Sequence, residues 1–238
     1  MGSEAVLFRR YEKKFMIDED LFDIITKRLE GYMVPDQYAY STITNVYYDT
    51  PTLLLARFSH EKPIYKEKLR LRAYGVPSED GMVFAEIKKK YEDVVYKRRI
   101  AMTRTEGEKY LAGEIEAPEP CQISREIDYC RGRYGGLFPA VYISYDRYSL
   151  ADPEGGPIRI TFDRNITWRK DDLLLGSGIY GRKLLQPGQV LMEVKVPEAF
   201  PLWFVKILDD LNLRGDSFSK YGKIYETLIT EGFHNNIL

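Results

Sequence analysis

Tyr65-Lys66-Glu67-Lys68-Leu69-Arg70-Leu71-Arg72-Ala73-Tyr74 decides the fold. In an extended chain alternate residues face opposite ways. Lys66, Lys68, Arg70 and Arg72 then share one face, and Glu67, Leu69, Leu71 and Ala73 share the other. An exposed edge strand guarded by lysines would show such a row once. Here the pattern recurs as Arg10-x-Glu12-x-Lys14, Glu86-x-Lys88 and Glu193-x-Lys195. Repetition of a charged face over an apolar one indicates a sheet curled with its charged side inward. A water-filled, mainly cationic interior with a few carboxylates suits a polyanion and its metal ion.

Working outward, eight stretches read as strands: residues 6–17, 43–49, 64–74, 82–89, 94–103, 140–150, 158–167 and 190–196. Turn-forming runs such as Val76-Pro77-Ser78-Glu79-Asp80-Gly81 and Asp152-Pro153-Glu154-Gly155-Gly156-Pro157 separate them. Helices are expected over 18–30, 105–111, 122–133, 201–211 and 219–230. The first opens on acidic residues and closes at Gly31, and the last starts from a Ser219 cap. No repeat or low-complexity linker divides the chain. The expectation is one domain over residues 1–238, of α+β class: an eight-stranded antiparallel β-barrel tunnel with helices packed outside.

The 238 residues carry a net charge of −1, so the molecule as a whole is no basic nucleic-acid binder, and a cationic site must come from local clustering. Nor do aromatic residues accompany the basic rows as stacking platforms need. Cys121 and Cys130 lie nine apart, on opposite faces of one expected helix. They read as free thiols of a reducing compartment, without zinc spacing. The start of the chain lacks a signal-peptide core and a myristoylation pattern, and no apolar run reaches membrane-spanning length. The expected location is cytoplasmic. Walker, GxGxxG and Ser/His/Asp arrangements are absent, and His60 and His234 are given no role.

Individual residues sharpen the site. Glu193 interrupts an apolar run, Val190-Leu191-Met192-Glu193-Val194-Lys195-Val196, and a carboxylate there needs a cation or a metal. Tyr145 shares a face with Arg147, and Arg159 with Thr161 and Asp163. Val94, Tyr96 and Ile100 put Arg98 on the packed side and leave Lys97 and Arg99 for the lumen. Lys89 and Lys90 read as solvent-facing. Ser219-Lys220 opens a helix, whose free N–H groups and dipole favour anions.

Taken in order, Tyr48-Asp49-Thr50-Pro51, Lys68-Leu69-Arg70-Leu71-Arg72-Ala73-Tyr74-Gly75, Glu86-Ile87-Lys88, Tyr145-Asp146-Arg147-Tyr148, Arg159-Ile160-Thr161-Phe162-Asp163, Met192-Glu193-Val194-Lys195 and Phe218-Ser219-Lys220-Tyr221 resemble the VTC domain. That domain is the catalytic part of polyphosphate polymerases in the triphosphate tunnel (CYTH-like) superfamily. The resemblance runs from about Val6 to Thr230. It implies a tunnel threaded by ATP, triphosphate or polyphosphate, with a divalent metal, manganese or magnesium. It implies phosphate contacts from Lys14, Arg70, Arg72, Lys88, Lys97, Arg147 and Lys220, hydroxyl donation from Tyr145 and Ser219, and metal ligation by Glu193. Among these, Arg70, Arg72, Lys88, Arg147 and Glu193 are the expected catalytic group. Face alternation adds Arg10, Lys68, Arg159 and Lys195 to the substrate contacts and Glu12 to the metal site.

Two departures from the superfamily matter. Its hydrolases usually begin with a doubled ExExK, whereas this chain reads Arg10-Tyr11-Glu12-Lys13-Lys14, which tilts the expectation toward the polymerase branch. The eukaryotic polymerase subunits add an SPX domain and membrane helices, and neither fits in this chain, so a membrane partner would have to act in trans. A triphosphatase with Glu12 as base, and a non-catalytic polyphosphate or nucleotide sensor, remain as rivals.

Overall fold

A computed structural model describes residues 11–92 and 94–232. Strands β1 (Tyr11–Asp18), β2 (Val34–Asp49), β3 (Tyr65–Tyr74), β4 (Met82–Tyr91), β5 (Val94–Thr103), β6 (Phe138–Ala151), β7 (Arg159–Arg169), β8 (Arg182–Lys183) and β9 (Gln189–Val196) form one antiparallel sheet. Its path is β1-β9-β7-β6-β2-β3-β4-β5, with the two-residue β8 attached to β7. Helices α1 (Glu19–Leu29), α2 (Leu54–Glu61), α3 (Arg104–Ala112), α4 (Gln122–Arg133), α5 (Leu202–Asp210) and α6 (Lys220–Thr230) accompany it. The α+β antiparallel tunnel expected from the sequence is the fold observed.

The eight long strands are those expected, but closure differs from an ideal barrel. Among the described residues no backbone ladder joins the edge strands β1 and β5. Side chains span the gap instead: Lys88 of β4 reaches Glu12 of β1 at 3.7 Å. The sheet is therefore curled almost onto itself.

Alternation explains the two faces. On β3, Glu67, Leu69, Leu71 and Ala73 are buried against an outer layer, where Leu69, Leu71, Val83, Ala85 and Ile87 meet Tyr110 and Leu111 of α3 and Ile127 of α4. A second outer core joins Phe15, Ile17, Ile160, Phe162, Met192 and Val194 to α1 and α5. Buried Glu67 is satisfied on this outer side by the hydroxyls of Tyr65 and Tyr134, which donate at 2.6 and 2.9 Å. A third cluster packs Tyr47, Ile143, Ile166, Trp168 and Leu191 on Tyr221, Ile224 and Leu228 of α6.

Two expectations need correction. Strand β2 begins nine residues before the expected start, because Pro35 and Asp36 disguise its first half, and its register with β6 shifts between Pro35 and Tyr40. Helix α2 is not among the expected helices. It is only eight residues long and follows Leu53 in the left-handed region (φ 55°), so no side-chain cap announces it. Its start is instead held by Asp49, which accepts from the backbone N–H of Thr50, Leu55 and Ala56 and from the Tyr221 hydroxyl.

A candidate phosphate-binding lumen

The inward face of β3 and its neighbours carries the basic residues, and buried carboxylates hold them. Glu86 is 1 % exposed and accepts two bonds from Arg70, at 2.8 and 2.6 Å. Lys97 lies 2.9 Å from its other oxygen, and Arg72 3.7 Å away. Burial alone would raise the Glu86 carboxyl, but Arg70, Arg72 and Lys97 hold it down at about 2. Arg70 also donates to the Tyr47 hydroxyl at 2.9 Å, and Arg72 to Asn45 Oδ1 at 2.8 Å and the Tyr145 hydroxyl at 3.0 Å.

Asp163, wholly buried, organises the opposite wall. Arg147 donates to both its oxygens, at 2.7 and 2.8 Å, and Lys220 from the start of α6 joins them. Burial opposes ionisation, yet Lys220 and Arg147 keep the Asp163 carboxyl below its usual range. Tyr145 lies between the walls. Burial favours its neutral form, but Arg72, Arg147 and Lys220 bring its hydroxyl down to about 8.

Lys14, Glu12, Glu193 and Lys195 form a third group. Lys14 is 2.9 Å from Glu12 and 3.8 Å from Glu193, and Lys195 pairs with Glu193. Despite burial and mutual repulsion, Lys14, Lys88 and Lys195 hold Glu12 at about 2. Burial also opposes ionisation of Glu193, which Lys195 and Lys14 keep well below the usual carboxylate range. Directly across the ladder from Glu193, the buried Thr161 hydroxyl has no hydrogen-bond partner among the described residues.

At the α6 end, Ser219 caps the helix by accepting from Gly222 N–H at 3.1 Å and also accepts from Lys68 at 3.0 Å. Lys14 donates to the Phe218 carbonyl at 2.9 Å. A cavity of about 430 Å³ opens here, lined by Lys13, Lys14, Lys62, Lys66, Lys68, Lys88 and Lys90 with Glu12 and Asp216 as acids. Burial and the neighbouring Lys88 and Lys14 hold Lys68 well below the usual lysine range. Burial, with Lys14 and Lys195, also lowers Lys88, against the opposing pull of Glu12 and Glu193.

The structure therefore brings Lys14, Lys68, Arg70, Arg72, Lys88, Lys97, Tyr145, Arg147, Glu12, Glu193, Lys195, Ser219 and Lys220 to one lumen. Arg159 stands apart, half exposed and engaged by Asp36 and Ser149. Arg10 lies outside the described residues. Lys89 does face outward, to Glu126, but Lys90 is on the lumen face and not in solvent. Sequence reasoning missed Glu86 and Asp163 as the anchors of the arginines, along with Asn45 and Tyr47. Glu86 could have been found from its own row, since an acid beside Lys88 on a cationic face needs a cation across the ladder.

A divalent metal fits this donor set. Magnesium and manganese accept one or two carboxylates and complete their shell with phosphate oxygens and water. Glu193 and Glu12 are hard oxygen donors already ionised, and the Thr161 hydroxyl, without a hydrogen-bond partner among the described residues, lies across the ladder from Glu193. Among the described residues no cluster of three or more acids, histidines or cysteines comes together.

The sequence profile of the VTC domain matches residues 9–229. The chain belongs to the VTC domain family. Solved structures support the fold. A candidate adenylate cyclase from Bacillus halodurans superposes with a TM-score of 0.54 at 12% identity, over 87% of this chain and 92% of that one. A candidate adenylyl cyclase from Hippeastrum, described as having a dominant triphosphatase activity, gives 0.51 at 13% identity, over 91% and 95%. No curated protein sequence matches the chain.

Proposed function

We propose that this VTC domain is a metal-dependent polyphosphate polymerase, which transfers the γ-phosphoryl group of ATP to the end of a polyphosphate chain. The observation that carries this reading is the lumen itself. Arg70, Arg72, Lys97, Arg147 and Lys220 converge from opposite walls, each tethered by a buried acid, Glu86 or Asp163, that fixes its direction. Such preorganised cations stabilise the charge that builds on a transferring phosphoryl group, and phosphoryl transfer asks for positioning and charge stabilisation above all.

In the reaction, a terminal oxygen of the chain attacks the γ-phosphorus in line, a new P–O–P bond forms, the β–γ bridge breaks and ADP leaves. Arg70, Arg72 and Arg147 hold the non-bridging oxygens. Tyr145 and Ser219 donate hydroxyl hydrogen bonds, and Lys14, Lys68, Lys88 and Lys220 neutralise flanking phosphates. Glu193 and Glu12, with Thr161 across the ladder from Glu193, would hold a divalent metal, which supplies Lewis-acid polarisation of phosphate oxygens when bound.

Water as the attacking group would make the protein a triphosphatase. That reading needs a base, and a base works best with its pKa near the operating pH. Glu12, held low by Lys14, Lys88 and Lys195, is a poor one. The metal assignment is tested by Glu193→Gln. Turnover of ATP is expected to vanish while polyphosphate binding stays intact or tightens. Retained turnover with manganese or magnesium would remove Glu193 from the site.

A further inference from the structure

The wall made by β3, β4 and β5 is chemically different at its two ends. Where β3 begins, lysines stand directly opposite lysines: Lys66 faces Lys90, Lys68 faces Lys88, and Lys88 faces Lys97. Like charges paired across a ladder destabilise a sheet. Among the described residues Lys66 has no carboxylate within ion-pair distance, and Lys68 bonds only the Ser219 hydroxyl. Lys62 extends the row from the loop after α2, reaching Ser217. This is the lysine-lined cavity of about 430 Å³.

Where β3 ends, the same inward face turns aromatic, which corrects the sequence expectation that no aromatic platform accompanies the basic rows. Phe84 follows Glu86 and Lys88 along the inner row of β4 and sits opposite Arg72. Tyr74 meets it edge-on with ring centroids 6.1 Å apart, and the Arg99 guanidinium lies 4.4 Å over its ring. Tyr74 is 52 % exposed and Met82 66 %. Arg99 is exposed and has no carboxylate partner among the described residues. An open aromatic–guanidinium surface is what a nucleobase stacks on. A pure polyphosphate has no use for it.

We propose that the lumen is polar: the nucleoside of the incoming nucleotide rests on Phe84, Tyr74 and Arg99, and the phosphate chain leaves past Lys66, Lys90 and Lys62. A nucleoside triphosphate carries one aromatic end and one anionic end, and the two ends of this wall complement them in that order. Between them, Arg70, Arg72 and Lys97 receive the reacting phosphates. The inference rests on the polymerase reading, and it fixes the direction in which the polymer grows out of the protein.

The test is a binding measurement on the full chain with three probes, ATP, tripolyphosphate and long-chain polyphosphate, at physiological salt so that distant charges are screened. Phe84→Leu keeps apolar bulk and removes the ring. It is expected to weaken ATP by about tenfold and to leave tripolyphosphate within about twofold. The double variant Lys66→Gln/Lys90→Gln is expected to weaken long-chain polyphosphate by about tenfold, with a shallower salt dependence, and to spare ATP. Equal weakening of ATP and tripolyphosphate by Phe84→Leu, equal weakening of ATP and the long polymer by the lysine variant, or no change in either variant would overturn the polarity. Failure of the unaltered protein to bind any of the three would overturn the polymerase reading instead.

Discussion

Replacing Glu86 by glutamine probes the architecture of the lumen most sharply. The side chain is almost isosteric, so packing is preserved and one negative charge is removed from among three cations. The carboxyl falls from 4.5 to about 2 in the folded protein, which corresponds to about 3 kcal/mol of stabilisation of the charged form. Losing one partner of a buried ion pair costs about 3–5 kcal/mol by general experience, so the two figures agree. For a domain of this size each kcal/mol moves the Tm by roughly 2–4 °C, and Glu86→Gln should melt about 6–12 °C lower. The sign with pH follows. A depressed carboxyl stabilises the fold above about 4.5, and that contribution is lost as pH falls toward about 2. The glutamine variant should lack this part of the acid-induced loss. Tripolyphosphate, by returning negative charge to Arg70, Arg72 and Lys97, should raise the variant's Tm more than that of the unaltered protein. Thermal unfolding followed by circular dichroism, at neutral and acid pH and with and without tripolyphosphate, measures all three. A Tm lowered by less than about 2 °C, with equal response to the ligand, would refute the idea that Glu86 serves as counter-charge to Arg70, Arg72 and Lys97.

Other expectations follow from the same geometry. Arg70→Ala and Arg147→Ala should each reduce turnover by about 10²–10³-fold in folded protein, and near-normal kcat in either would break the transfer mechanism. Burial and the nearby Arg70 and Arg72 bring the Lys97 ammonium down to about 8 against the pull of Glu86. Polyphosphate affinity measured against pH should therefore decline as pH rises through about 8, and Lys97→Arg should flatten that step. Tyr47→Phe removes the hydroxyl that Arg70 donates to and should cost about 1 kcal/mol in stability with a smaller loss in rate, and an unchanged Tm would show the bond to be idle.

Much of this site is legible in the sequence because a strand has a period of two. Lys66, Lys68, Arg70 and Arg72 could be placed together from spacing alone, and so could the apolar face behind them. The row at Glu193 and Lys195 followed by the same argument. What spacing cannot give is which rows face each other across the lumen, since that depends on strand order and on the stagger between strands. Asp163 is therefore visible as a lumen residue but not as the shared partner of Arg147 and Lys220. Its two cations come from β6 and α6, 16 and 57 residues away. The first half of β2 was hidden by Pro35, and α2 by its length and by a start that Asp49 holds from the strand before it. The N-cap of α6 was readable at Ser219, because a serine before an apolar-periodic run is a local signal. The acceptance of Lys68 by that same hydroxyl is a tertiary contact and left no local trace.

The central claim is that the lumen builds polyphosphate from ATP. Purified protein incubated with ATP and manganese, with and without a short polyphosphate primer, would be analysed on a gel stained for polyphosphate while free phosphate is assayed in parallel. The account predicts long polyphosphate accompanied by ADP, with the primer shortening any lag. Free phosphate without polymer would contradict it.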